Sequence, residues 1–395
     1  MEHTMNQRDV VILAGARTPF GKLNGTISAL SAVELGTAAL RAAIERSSVA
    51  VEDIGAVIMG QVLQAGANQG PARQVSIAAG IGWNVPATTI NKICLSGLTA
   101  VIDGARIIRA GEAEVVAVGG QESMSNAPHL LMGSRKGWGY GTVSALDHAA
   151  VDGLVDAFDH DSMGLSTEHH NAPLGISRSD QDMVAAASHQ RAAAAAGLLT
   201  EEIVPVTIHG RKGDTVVRAD EGVRPESTAE TLSRLKPAFA PDGTITAGNS
   251  SPISDGAAAV ILASREYAET HGLQWLAIVG AAGQVAGPDN SLHAQPAHAI
   301  TAALARAEWE VSDLDFVEIN EAFAAVSLHS SRALGIDMDT VNIHGGAIAL
   351  GHPLGASGAR LALHAAYELN RRGSGRAAVA LCGGGGQGEA LLLSR

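Results

Sequence analysis

The only cysteines in this 395-residue chain, Cys94 and Cys382, both stand in glycine-bounded, turn-forming sequence, within Asn91-Lys92-Ile93-Cys94-Leu95-Ser96-Gly97 and Cys382-Gly383-Gly384-Gly385-Gly386-Gln387-Gly388. Between them in sequence lie Asn320-Glu321-Ala322-Phe323 and Gly351-His352-Pro353. Two thiols, an imidazole and a carboxamide at element ends suit thioester chemistry. A thiolate attacks the carbonyl, a neighbouring base moves the proton, and fixed donors hold the oxygen that becomes charged.

Each of these residues also has a plainer role. Cys94 follows a strand-like stretch, 87–93, and precedes a helix that begins near Ser96. Its sulfur would face unpaired backbone amides and the positive end of a helix dipole, a setting that favours thiolate. The plainer reading is a buried structural cysteine, the commoner fate of the residue type. The turn and the distant partners weigh against it. His352 lies in Gly345-Gly346-Ala347-Ile348-Ala349-Leu350-Gly351-His352-Pro353-Leu354-Gly355-Ala356-Ser357-Gly358. There, glycines let backbone approach a ligand and Pro353 fixes the turn after the ring. Most of the fifteen histidines need no special role. Asn320 closes the strand Phe316–Ile319 and opens a helix, so it is either an N-cap or a donor to a water or substrate carbonyl. The glycines from 383 to 386 offer backbone amides to an oxyanion, or equally to a phosphate. No Gly-Lys-Ser follows them, and their spacing lacks the dinucleotide fingerprint. No Cys or His pair has the spacing of a closed metal site, and neighbouring His169 and His170 diverge on a helix, so no metal is expected.

Segments so far apart in sequence meet only through a large ordered core. Strands over 10–14, 54–59 and 115–118 alternate with helical spacing over 31–46 and 100–109. That order predicts an α/β fold whose mostly parallel sheet is covered on both faces. Sliding the chain by 260 positions sets Val51-Glu52-Asp53-Ile54 on Val311-Ser312-Asp313-Leu314, and Leu40, Ala43 and Ile44 on Ile300, Ala303 and Leu304. Further on, Ser96-Gly97 meets Ser357-Gly358, and the strand at 115–118 meets 378–381. The halves read as a duplication; the plainer alternative is that any two strand-helix units look alike. Residues 122–246 break the pattern with histidines, Trp138, Tyr140 and several Asp and Arg, as an insertion carrying ligand or subunit contacts does. Inside it, Ser177 and Asp180 fit a capping box for an Ala-rich helix over 180–196, which Gly197 ends; 203–208 and 215–218 suggest a small strand pair. The expected division is 1–121 with 247–273 as a first half, 122–246 as an inserted loop domain, and 274–395 as a second half.

A hydrophobic fraction of 46% with 17% charged residues is that of a globular chain, and a formal charge of -13 repels nucleic acid and anionic membrane alike. The opening residues are polar, without a basic lead or a secretory apolar stretch, and no later span is long enough to cross a bilayer. A reducing, cytoplasmic setting is therefore expected, with two free thiols in preference to a Cys94–Cys382 disulfide.

With these motifs the chain resembles the thiolase family, and within it the acetyl-CoA acetyltransferases, over nearly its whole length. The resemblance rests on Ala14-Gly15-Ala16-Arg17-Thr18-Pro19-Phe20, Gly119-Gly120-Gln121-Glu122-Ser123-Met124-Ser125, Asn320 to Ala324, and the segments around Cys94, His352 and Cys382 quoted above. It implies a duplicated five-layer α-β-α-β-α core, each half a five-stranded mixed sheet between helices. It implies Cys94 as the nucleophile, His352 as the base that activates it, and Cys382 as the acid and base for the substrate α-proton and leaving thiolate. Asn320 would hold a water that shares one oxyanion pocket with His352; the backbone amides of Cys94 and Gly384 would form the other. Arg224 would face the nucleotide end of coenzyme A and Ser251 the pantetheine, with Met163, Phe239, Phe323 and Ala322 on the substrate side. The implied reaction joins two acetyl-CoA molecules into acetoacetyl-CoA and CoA, reversibly, through acetyl-Cys94. Coenzyme A thioesters are then substrates, no cofactor is needed, and the assembly is a homodimer or homotetramer.

Three positions depart from the family pattern. Ser162 precedes Met163-Gly164 where His is common, His169 stands where Asn is common, and Pro252 replaces a Gly, which stiffens the loop beside Ser251. Coenzyme contacts are the feature these changes touch. A broader 3-ketoacyl-CoA thiolase of fatty acid β-oxidation and an inactive CoA-binding relative are the alternatives. A ketoacyl synthase is disfavoured by the second cysteine.

Overall fold

A computed structural model describes residues 9–395; the polar start, 1–8, on which the absence of an export signal was read, lies outside the described residues. In chain order the first part forms β1 (Val10–Arg17), β2 (Gly21–Lys22), α1 (Ala32–Ser47), β3 (Ile54–Gly60), α2 (Pro71–Ala78), β4 (Ala87–Ile90), α3 (Ser96–Ala110) and β5 (Val115–Ser123). A looser stretch follows with β6 (His129–Leu130), β7 (Leu146–Asp147), α4 (Met163–Asn171), α5 (Arg178–Ala194), α6 (Ala196–Glu202), β8 (Val206–Ile208), β9 (Thr215–Val217) and α7 (Ala229–Ser233). The chain then makes β10 (Ser254–Ser264), α8 (Arg265–Thr270), β11 (Ala277–Ala286), α9 (Gln295–Ala307), β12 (Phe316–Ile319), α10 (Ala324–Leu334), α11 (Ala347–Leu350), α12 (Ser357–Arg372), β13 (Arg376–Gly383) and β14 (Gln387–Ser394).

Strand hydrogen bonding runs without a break in the order β12-β13-β14-β11-β1-β10-β5-β3-β4, with β2 on β10. The sheet is not mostly parallel as expected: only β3–β4, β3–β5 and β12–β13 pair parallel, because β10 and β14 run back between parallel neighbours and pair antiparallel on both sides. Within the sheet the two halves join where Val10, Val11 and Ile12 of β1 meet Val279, Ile278 and Ala277 of β11, antiparallel. Successive side chains along a strand point to opposite faces, so a strand covered on both sides is apolar throughout. In β1, Val11 and Leu13 face α1 and α2, while Val10 and Ile12 face a central core filled by α3 and α12. That central core also takes Val379, Leu381, Leu391 and Leu393 from the second half, whose other face packs Ala378 and Leu392 against Ile300 and Leu304 of α9. The result is five layers: helices, sheet, the α3 and α12 pair, sheet, helices.

The duplication read at an offset of 260 is visible in the elements. Val51–Asp53 and Val311–Asp313 are matching single 3-10 turns, α3 matches α12, and β5 matches β13. The second half falls short of the five strands expected. The counterpart of edge strand β4, which pairs parallel to β3, is reduced to one parallel bridge between Val341 and Val317. Another expectation changes. Gly197 does not end the Ala-rich helix, because α5 stops at Ala194 and Gly197 continues as helix within α6. The helix after Cys94 begins at Ser96, as the turn suggested, and takes in the helical spacing over 100–109. Ser177 does cap α5, its hydroxyl accepting from Asp180 N at 3.1 Å, and the small strand pair forms as β8 with β9. Among the described residues no helix is long and apolar enough to cross a membrane.

Candidate active site

Parallel strands in an open sheet gather functional residues beyond their carboxyl ends, and this fold does so twice. In the first half, Cys94 stands between the end of β4 and the start of α3. The turn is locked by its own side chains: Ile93 N donates to Asn91 Oδ1 at 3.0 Å, and Ser96 Oγ accepts from Lys92 N at 2.8 Å while donating to Ile93 O at 2.6 Å. It holds Ile93 at φ +52°, a conformation costly for a β-branched residue, immediately before the nucleophile candidate. In the second half, β12 runs parallel to β13 with Ile319 opposite Ala380, and Asn320 N donates to Ala380 O at 2.9 Å. That register brings Asn320 level with the end of β13, which carries Cys382.

Cys94, Cys382, His352 and Gly384 line one cavity of about 270 Å³. The wall also takes Ser251, Met163, Phe239, Ala322 and Phe323, and the two phenylalanines meet edge to face with centroids 6.1 Å apart. The thiols are free. Arg224 is not brought to this wall; it is exposed, and its backbone N donates to His189 Nδ1 at 3.2 Å. Ser162 lines the cavity and caps α4 through Leu165 N, whereas His169 is exposed and reaches only toward Asp161, 3.6 Å away. The carbonyl of Pro252 accepts from Ser254 Oγ, which in turn accepts from His352 N at 3.0 Å, so the altered loop braces the histidine backbone.

The protonation states differ from the expectation at Cys94. Burial pushes its thiol up to about 11, against the opposing pull of the backbone amides of Gly384 and of Cys94 itself, with Glu122 adding to the rise. The helix start does not make a resting thiolate here, because the sulfur is two residues ahead of α3 and desolvation outweighs the amides. The amides of Gly384 and Cys94 thus both address the sulfur itself. Burial also raises the Cys382 thiol, and Cys94 adds to that.

His352 is 5% exposed and is held well below the usual imidazole range, at about 4, by burial and then by Arg360. It is neutral. Ser357 Oγ donates to Pro353 O at 2.9 Å, so its 2.5 Å contact with His352 Nδ1 is an N–H donated by the ring. The lone pair is then on Nε2, which faces Asn320 Nδ2 at 3.3 Å. Asn320 is therefore not an N-cap. α10 starts only at Ala324, with Phe323 ahead of it, and the first amide of that helix donates to Asn249 O at 2.9 Å. Freed from capping, Asn320 is wholly buried, and its Oδ1 has no hydrogen-bond partner in the protein.

Sequence reasoning missed several residues here. Ser357 was noted only as the duplicate of Ser96. Leu292, Ile93 and Leu354 line the cavity without any local signature. Glu122, wholly buried near the end of β5, accepts from Val62 N, Leu63 N and Gly355 N. A carboxylate at the end of an apolar strand was the signal available for it. Among the described residues no group of three or more His, Cys, Asp or Glu is placed to hold a metal ion.

Comparison with known proteins gives these features a context. Residues 10–266 match the family described as Thiolase, N-terminal domain, and residues 273–395 match Thiolase, C-terminal domain. The chain is 56% identical over 388 residues to a probable acetyl-CoA acetyltransferase of Mycolicibacterium smegmatis, covering 98% of this chain and 100% of that one. It is 57% identical over 386 residues to a probable acetyl-CoA acetyltransferase of Mycobacterium tuberculosis, covering 97% and 98%. It is 47% identical over 390 residues to an acetyl-CoA acetyltransferase of Cupriavidus necator, covering 98% and 99%. The duplicated α/β fold with its cysteine-lined cavity is that of an acyltransferase. The chain belongs to the thiolase family.

Proposed function

We propose that this enzyme is an acetyl-CoA C-acetyltransferase, condensing two acetyl-CoA molecules reversibly into acetoacetyl-CoA and CoA by a ping-pong route through acetyl-Cys94. The observation that carries the reading is the meeting of both thiols and a neutral imidazole on one small apolar cavity. Because Cys94 rests as a thiol, its proton leaves as the S–C bond forms, accepted by the free Nε2 of His352. The oxygen of the tetrahedral adduct is met by the amides of Cys94 and Gly384. The CoA thiolate departs with the proton of Cys382, leaving Cys382 as thiolate and His352 charged.

The second acetyl-CoA then loses an α-proton to Cys382. Its enolate oxygen is stabilised by charged His352 and by a water accepted at Asn320 Oδ1, the buried acceptor without a protein partner. The enolate carbon attacks acetyl-Cys94, and the departing Cys94 sulfur recovers its proton from His352. Every proton is returned, so no cofactor is required and the CoA thioesters are substrates only. The relatives named acetyl-CoA acetyltransferases support the acetyl preference. So does a cavity of about 270 Å³, at the small end of ligand sites, which run from roughly 300 to 1,000 Å³.

A thiolysis assay across 3-ketoacyl-CoA chain lengths tests this, run beside Cys94→Ser with intact-protein mass spectrometry. Acetoacetyl-CoA is expected to be cleaved best, with turnover falling steeply as the chain lengthens, and the Ser variant is expected to lack both adduct and turnover. Equal turnover of long chains would make the enzyme a broader thiolase, and full turnover by the variant would remove Cys94 as nucleophile. A homodimer or homotetramer in the cytoplasm completes the reading. The assembly is supported by Trp83 at 78% exposure and by the exposed Leu131, Met132, Trp138 and Tyr140, large apolar groups that a partner chain would cover. Light scattering on the eluted protein measures that assembly.

A further inference from the structure

Glu122 is fully buried, and its partners are backbone amides alone. Its Oε2 accepts from Val62 N at 3.0 Å and from Gly355 N at 2.9 Å, and its Oε1 accepts from Leu63 N at 3.0 Å. The first and third of these amides belong to a loop that supports the nucleophile turn, since Asn91 Nδ2 donates to Val62 O at 3.4 Å and Asn91 Oδ1 accepts from Ile93 N. The second belongs to the other half of the molecule, three residues beyond His352. Gly355 is itself wedged among glycines: a Cβ on Gly120 would come within 1.8 Å of Gly355 O, and one on Gly97 within 2.7 Å. So one carboxylate is fastened to both the cysteine side and the histidine side of the cavity, at a place where backbones touch.

A buried carboxylate is costly, and three amides offset that only in part. Burial pushes Glu122 up to about 7; the amides of Leu63, Val62 and Gly355 oppose the rise, and Asp255 on β10 adds to it. Its charge is coupled to Asp255 and to Cys94, whose thiol it helps to raise. An amide or an apolar side chain would fill the space without this charge. The carboxylate therefore has an effect on the sulfur that packing alone does not supply.

We propose that Glu122 is a positioning residue for acyl transfer: its carboxylate ties the turn beneath Cys94 to the loop bearing His352. The proposal rests on the reading of Cys94 as nucleophile. It is tested on the full-length enzyme and on Glu122→Gln and Glu122→Asp by two measurements. One is the rate of Cys94 alkylation by iodoacetamide from pH 5.5 to 9, resolved by peptide mass spectrometry; the other is kcat and KM for thiolysis of acetoacetyl-CoA.

Removing a like charge lowers a thiol pKa, so Glu122→Gln is expected to alkylate about threefold faster than the parent at pH 8.5. At pH 5.5, where the parent carboxyl is itself protonated, the two rates converge. Glu122→Asp keeps the charge and alkylates like the parent, yet its shorter side chain does not reach all three amides, so kcat falls about tenfold with KM little changed. A ratio of Gln to parent alkylation that stays constant with pH means that the charge does not reach the sulfur, and an Asp variant with parental kcat overturns the positioning role. If Glu122→Gln does not fold, the Asp variant alone decides, parental kcat again being the overturning result. Alkylation of the parent at Cys94 without loss of thiolysis would instead mean that the nucleophile reading has failed.

Discussion

Ser357 decides which nitrogen of His352 is free. Its hydroxyl hydrogen is committed to Pro353 O, which leaves its oxygen to accept from Nδ1 and puts the lone pair on Nε2, toward Asn320. Ser357→Ala removes that acceptor while Pro353 keeps the loop in place, so the ring is free to rotate or to adopt the other tautomer. Steady-state thiolysis is expected to show kcat lowered by about ten- to a hundredfold, within the range that general acid–base catalysis supplies. KM should change little, because Ser357 does not line the cavity. Ser357→Thr keeps the oxygen and is expected to retain most of the turnover. Equal losses in both variants would point to packing in place of tautomer control.

At the next scale the two central helices set the distance between the thiol and the imidazole, because Cys94 precedes α3 and His352 precedes α12. The helices cross close to their starts, where a Cβ on Gly358 would lie 2.3 Å from Leu98 N and 2.7 Å from its side chain. Gly358→Ala therefore forces the pair apart and is expected to cost about 1–3 kcal/mol in denaturant unfolding, the usual range for overpacking, together with loss of turnover. Gly197→Ala in α6 is the contrast: nothing lies within 4 Å of the added Cβ, and the substitution should stabilise by about 0.5–1 kcal/mol. The motifs around Cys94, His352 and Cys382 were legible as a group because glycine and proline mark where backbone approaches a ligand, and that marking is local. The duplication was legible because the turns Val51–Asp53 and Val311–Asp313, and the apolar helix positions ahead of them, recur at a single offset. What stayed hidden is set from a distance. The start of α10 depends on Asn249, so Asn320 looked like a cap; the Cys94 thiol depends on how much protein surrounds it, so it looked like a thiolate. The missing fifth strand of the second half is likewise a matter of pairing length, which residue types around Val341 do not announce.

Across the whole molecule, a buried chain of charges joins both halves to the inserted region. Arg17 of β1 bonds Glu202 of α6 at 3.0 Å and Asp220 at 2.7 Å; Glu202 also accepts from His364 of α12, and Arg360 approaches Glu318 of β12 at 3.5 Å. His364 Nε2 points at His344 Nδ1, 3.2 Å away, and lies 3.9 Å from Glu318. His344, with Glu368 at 4.0 Å, is held down at about 4 by burial and then by His364, so it is neutral and accepts from a charged His364. Burial opposes the charge on His364, but Glu202 and Glu318 raise it above 6.5. Glu202 is held at about 2 despite burial, by His364 and then Arg17, while burial pushes Glu318 up. The signs follow from linkage. A histidine raised above its unfolded value contributes stability fully below pH 6.5 and loses it as pH rises through the folded value; a glutamate lowered from 4.5 contributes fully above 4.5 and loses it as pH falls toward 2. The pair is thus worth most between those limits. Glu202→Gln leaves Arg17 with Asp220 alone and His364 with only the more distant Glu318, and should cost about 3 kcal/mol, the low end of the range for breaking a buried pair. Denaturant midpoints of parent and variant should differ most near pH 5.5 and draw together as pH rises through the folded value of His364, where the parent gives up that proton. A gap that stays constant from pH 5.5 upward would mean that His364 is neutral in the folded enzyme and that Arg17 alone balances Glu202.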